Sequence, residues 1–131
     1  MSQENVEFMK VAFELWNGGD RDATRELLDP DATLRMPQGW PEPGPFAGRD
    51  AVVRQWDRLR EAWDADALEP IEDLTDAGDR VVARITWRGA GHGPALNMEL
   101  TGVYTVRNGR LLAIELFWDH AEALKSAGLE Q

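Results

Sequence analysis

The apolar residues of this chain change their spacing near Asp64, and that change limits the fold more than any other feature of the sequence. Before it, Val6, Met9, Phe13 and Trp16 recur at helical intervals, as do Val52, Trp56, Leu59 and Trp63, so two amphipathic helices are predicted there. After it the period shortens. Leu68 to Leu74, Arg80 to Arg88, Leu96 to Val106 and Leu111 to Trp118 read as strands, parted by Ala77-Gly78-Asp79, by Gly89 to Pro94 and by Arg107-Asn108-Gly109. Helices first and a strand meander second make an α+β plan, and 131 residues suffice for one domain over 1–131 with its own core.

Local signals divide the rest. The first helix ends at Gly18-Gly19, and Asp20 caps a short second helix through Leu28. Pro30-Asp31 breaks that helix, and residues 32–36 follow as a short strand. The loop from Pro37 to Gly48 concentrates four of the seven prolines and carries Trp40 and Phe46, which suits either a lid or an Ω-loop tucked onto the core. Asn108-Gly109 is either a two-residue turn, setting Tyr104 opposite Ala113, or part of a three-residue loop with Gly109 in a bulge. The second is preferred, because it gathers Leu96, Met98, Leu100, Gly102, Tyr104 and Val106 on one face with Leu112, Ile114, Leu116 and Trp118. Asp119-His120-Ala121-Glu122 has capping-box spacing and opens a last helix to about Ala127.

Composition removes several kinds of chemistry. Cysteine is absent, which excludes disulfides, thiolate metal sites and cysteine nucleophiles and fits a reducing compartment; the expected location is the cytoplasm. The N-terminal segment has no basic run leading into an apolar one, and no stretch approaches the length of a membrane span, so neither export nor insertion is expected. A net charge of -10 with scattered Lys and Arg argues against nucleic acid. Ser2 and Ser126 lie near the two ends without a histidine in pattern, which excludes a serine triad. His92 and His120 fall in no ligand spacing, so neither a metal nor a cofactor is expected. Gly89-Ala90-Gly91-His92-Gly93 joins two strands rather than opening a helix, so it reads as a hairpin turn and not a phosphate loop.

Five segments in order, residues 12–20 (AFELWNGGD), 27–32 (LLDPDA), 46–49 (FAGR), 77–82 (AGDRVV) and 107–110 (RNGR), resemble the SnoaL-like family of the nuclear transport factor two-like superfold. The resemblance spans nearly the whole chain and implies a cone in which helices plug a strongly bent sheet. Function is not implied with it, because that superfold hosts isomerases, cyclases, hydrolases and pure binders. Ketosteroid isomerases resemble this fold, but their aspartate base falls at Met36, their tyrosine at Ala12 and their protonated acid at Gly102. The last-strand aspartate of limonene epoxide hydrolases falls at Leu116, and SnoaL cyclases keep an acid/base aspartate in that region. None of these groups is present here.

What remains is an aromatic pocket with few polar candidates. Alignment and alternation predict that Trp16, Met36, Trp56, Met98, Leu116 and Trp118 contact a small hydrophobic molecule, with Trp40 over the mouth. Arg84 and Tyr104 are the candidate catalytic residues, stabilising charge on a developing oxyanion, with Thr86 and Arg88 beside them. The face of that strand is open. Burial sends Val81, Ala83, Ile85 and Trp87 inward, whereas the resemblance places Arg84, Thr86 and Arg88 inside. Both hold if a homodimer covers the outer face. The two functional readings are a cofactor-independent isomerase, cyclase or hydrolase and a non-catalytic binder.

Overall fold

The computed structural model describes residues 2–61, 65–90 and 96–129. The described elements run α1 (Ser2–Asn17), α2 (Arg21–Glu26), β1 (Leu28–Arg35), β2 (Phe46–Ala47), α3 (Arg49–Arg60), β3 (Ala65–Pro70), β4 (Thr75–Ala77), β5 (Arg80–Ala90), β6 (Leu96–Arg107), β7 (Arg110–Phe117) and α4 (His120–Ser126). The strands make one mixed, curled and unclosed sheet in the order β2-β1-β7-β6-β5-β3, with β4 also on β5; β1 and β7 are parallel and the other pairs antiparallel. The α+β architecture matches the sequence expectation. Trp63 and His92 lie outside the described residues. No described helix is long and apolar enough to cross a membrane.

The second and last helices begin at the caps the sequence signals. The Asp20 carboxylate accepts the Ala23 N–H at 3.0 Å, and Asp119 accepts that of Ala121 at 2.9 Å, each satisfying a donor that the first helical turn leaves open. Gly19 leaves α1 at a φ of 75°, a conformation costly for other residues. Asn17 then clasps the edge strand. Its side chain donates to the Leu68 carbonyl at 3.0 Å and accepts the Leu68 N–H at 2.7 Å, so β3 is bonded on both sides and α1 is held across the concave face.

Three boundaries differ from expectation. The second helix stops at Glu26, and β1 starts at Leu28, so Pro30 lies inside the strand rather than before it. The register with β7 shifts between Leu28 and Thr33, and a proline without an N–H sits within that irregularity without removing a ladder bond. The apolar stretch from Leu68 to Leu74 is not one strand: β3 ends at Pro70, and β4 begins at Thr75. The β6–β7 turn is the two-residue form, with Asn108 and Gly109 both at positive φ and Arg107 opposite Arg110. The extra residue lies further along, where the register shifts beside Val106 and leaves Leu112 unpaired. Leu111 is therefore buried instead of Leu112, while Tyr104 still faces Ile114 and Gly102 still faces Leu116.

One face of the sheet holds the main core. Val6, Met9 and Phe13 of α1 pack there on Leu34, Val81, Ile85, Trp87, Leu100, Tyr104 and Ile114. On the other face α4 covers a small cluster, Val82, Val103, Ala123 and Ala127. Thr101, also buried, sits 3.0 Å from the Nδ1 of His120, so that histidine ties α4 to β6 instead of standing free at the surface.

Candidate functional site

The ambiguity on β5 resolves in favour of burial. Val81, Ala83, Ile85 and Trp87 are buried in the main core, which corrects the expectation that Arg84, Thr86 and Arg88 line the pocket. Arg84 lies on the opposite face, donating from Nη2 to Glu99 at 2.7 Å with Glu72 3.7 Å away, and Arg88 pairs with Glu69 at 3.1 Å. The physical reason is the cost of desolvation. A guanidinium needs a carboxylate or carbonyl partner when buried, and the carboxylates that these two arginines meet, Glu69, Glu72 and Glu99, are on the outer face. Thr86 alternates to the same outer face. Val81, Ile85 and Trp87, the apolar set that a dimer partner would cover, belong to the core instead.

Within the concave face a cavity of about 70 Å³ is lined by Trp16, Leu34, Met36, Trp56, Leu59, Leu68, Ile85, Trp87, Leu100, Tyr104, Ile114 and Leu116. Trp16, Met36, Trp56, Tyr104 and Leu116 thus lie together, as the sequence places them. Met98 packs at the margin of the core, opposite Trp87 across the β5–β6 ladder. Trp40 does not line the cavity but stacks on Trp87, with ring centroids 6.3 Å apart, and Trp118 leans on Trp40 at 6.2 Å. Trp118 is 48% exposed and donates its indole N–H to the Gln38 carbonyl at 2.8 Å, so it braces the Pro37–Gly48 loop from outside instead of closing the pocket.

Tyr104 carries the only side-chain oxygen among these lining residues. No hydrogen-bond partner for it is found among the described residues, and no fully enclosed polar side-chain atom there lacks one, so the hydroxyl borders open cavity space. Its ring lies over Gly102: a Cβ at that position would stand 2.6 Å from the Tyr104 oxygen. Phe13 meets the ring edge-on at 5.6 Å. Burial pushes the phenol well above its ordinary range, because the phenolate would lose its hydration. Folding stability is accordingly full below the unfolded value of about 10 and falls as pH rises beyond it toward the folded value. As the chain has a single tyrosine, tyrosinate absorbance reads this group alone; it should appear only with unfolding, and its appearance near pH 10 in the folded protein would contradict the burial.

Arg60 is a feature that the sequence reading missed. It is buried, its Nη2 donates to the Trp16 carbonyl at 2.7 Å, and its guanidinium lies 3.7 Å over the Trp16 ring. The only signal was an arginine at the end of an otherwise apolar helical stripe. Among the described residues no His, Asp or Glu cluster could hold a metal ion.

Helices packed on a curled, unclosed sheet around an aromatic cavity are the arrangement of the nuclear transport factor two-like fold. A model of the SnoaL-like domain matches residues 10–114, and the chain belongs to that family. No match to a functionally curated protein was found. Among solved structures, the chain is similar to Bal32a from a soil-derived mobile gene cassette (21% identity, 88% of each chain, TM-score 0.79). It is also similar to an NTF2-like protein of unknown function from Burkholderia pseudomallei (24% identity, 92% of this chain and 95% of that one, TM-score 0.75). A third is a candidate polyketide cyclase from Sinorhizobium meliloti (26% identity, 88% and 98%, TM-score 0.70).

Proposed function

We propose that the protein binds a small, flat, mainly apolar organic molecule in the cone and holds one of its oxygens by a hydrogen bond from Tyr104. The observation that carries this reading is the protonated Tyr104 hydroxyl, without a hydrogen-bond partner among the described residues, bordering a cavity otherwise lined by apolar and tryptophan side chains. A buried donor without a partner forfeits its hydration, and a ligand carbonyl restores the bond in a medium where it is strong. Tyr104→Phe should weaken binding of a simple aryl ketone such as acetophenone about tenfold by calorimetry, the worth of one such bond. Arg84→Ala, on the outer face, should leave the affinity unchanged. Equal affinities for wild type and Tyr104→Phe would refute the role given to the hydroxyl.

A catalytic reading is favoured by the same protonated phenol. It can share its proton with an enolate or alkoxide oxygen as charge develops there, and the similarity to a candidate polyketide cyclase is in keeping with ring closure or isomerisation. Among the described residues no Asp, Glu or His lines the cavity, so this reading takes a carbon acid whose proton leaves readily to water. Incubation with aromatic polyketide ketones separates the readings: a product of unchanged mass and altered retention time marks catalysis, and recovery of the compound bound and unaltered marks a binder.

A further inference from the structure

A second cavity of about 40 Å³ lies against the first, towards α1 and α2, and reaches Met9, Ala12 and Leu27. Trp16, Trp56, Leu68, Tyr104 and Ile114 line both, so the two spaces are divided by side chains. Neither is large enough alone for an aromatic ring, since an engineered cavity that binds benzene measures about 150 Å³. Any ring entering must displace the partition.

The members of that partition are not equally held. Tyr104 has its ring over Gly102 and in edge-on contact with Phe13. Trp16 lies under the Arg60 guanidinium, and Ile114 is buried in β7. Leu68 has its backbone fixed by Asn17. Trp56 is partly buried, makes no hydrogen bond to a described residue, and meets Trp16 only edge-on at 5.1 Å. Resting on the role proposed for Tyr104, we infer that the two cavities are one ligand site, that Trp56 is the wall that swings aside, and that the ligand has two apolar lobes joined at a hydrogen-bond-accepting oxygen. Tyr104 stands in the shared wall, so the oxygen it holds falls between the lobes.

Calorimetry with acetophenone (one ring), chalcone (two rings across a carbonyl) and 1,3-diphenylpropene (the same skeleton without the oxygen) tests this. Chalcone should bind at least tenfold more tightly than either of the others. Ala12→Val adds methyls to the smaller cavity only and should bring the chalcone-to-acetophenone ratio close to one; Leu27→Phe fills the same space from the α2 end should the first variant fold poorly. Trp56→Leu should speed chalcone association severalfold. A wild-type ratio near one, with acetophenone binding still dependent on Tyr104, overturns the two-lobed site but not the pocket. A high ratio that both filling variants leave intact overturns it as well, by placing the second lobe elsewhere. No ketone binding, or none dependent on Tyr104, removes the underlying reading too.

Discussion

Trp87→Ala should cost about 3–5 kcal/mol of folding stability, the range for deleting a buried indole, whereas Arg88→Ala next to it should cost no more than about 1 kcal/mol. Trp87 is 3% exposed, lies opposite Leu68 and Met98 on the neighbouring strands, and is the surface on which Trp40 stacks. Its loss removes a cavity wall and the seat of the Pro37–Gly48 loop together. Arg88 faces outward with a single exposed carboxylate partner. Urea unfolding of the two variants therefore reports which face of β5 is inside, and an inverted pair of costs would restore the arrangement in which Arg84, Thr86 and Arg88 line the pocket.

Gly102→Ala should destabilise by about 1–3 kcal/mol, the cost of overpacking, although an alanine in a strand interior ordinarily gains about 0.5–1 kcal/mol over glycine. The reason is local. The new methyl carbon would stand 2.6 Å from Cε2 and the oxygen of Tyr104 and 2.7 Å from Cζ, and the ring, buried and in edge-on contact with Phe13, must shift within a packed core to clear it. Gly102 has no left-handed backbone, so the penalty is steric alone. Tyr104→Leu in the same chain should recover much of the loss, a coupling that a double-mutant cycle reads directly. A stabilising Gly102→Ala would mean that the phenol does not lie over this position. The pairing also explains how a chain with glycine at residue 102 still presents a polar group there: the neighbour two residues on the same face folds back into the space.

The helices and the caps at Asp20 and Asp119 were readable because local chemistry decides them, and so was the α+β plan. Pro30 misled because a proline stops a helix from its own sequence context, while its tolerance in a strand depends on a register shift against β7 that only the tertiary fold creates. The Asn108-Gly109 turn was open for a related reason: turn type and the unpaired Leu112 are alternative ways to absorb one residue, and both keep Tyr104 and Ile114 on one face. At β5 the period-two pattern pointed the right way, and the family resemblance pulled Arg84 inward against it. Arg60 shows the converse limit, since nothing in its helix reveals that Trp16, 44 residues earlier, will supply both a carbonyl and a ring. Five of the expected pocket residues meet around one cavity because alternation and helical spacing encode which side chains face the core. Where the Tyr104 hydroxyl stands is set by Gly102, where an absent side chain is the signal.

The central claim, that the Tyr104 hydroxyl donates to an oxygen of the bound molecule, is tested most directly by the infrared carbonyl stretch of ¹³C-carbonyl acetophenone in the protein. A hydrogen bond to the oxygen weakens the C=O bond and lowers its frequency below that in an alkane solvent. The account predicts a lowered stretch in the wild type and an alkane-like one in Tyr104→Phe. The same stretch in both proteins would contradict it.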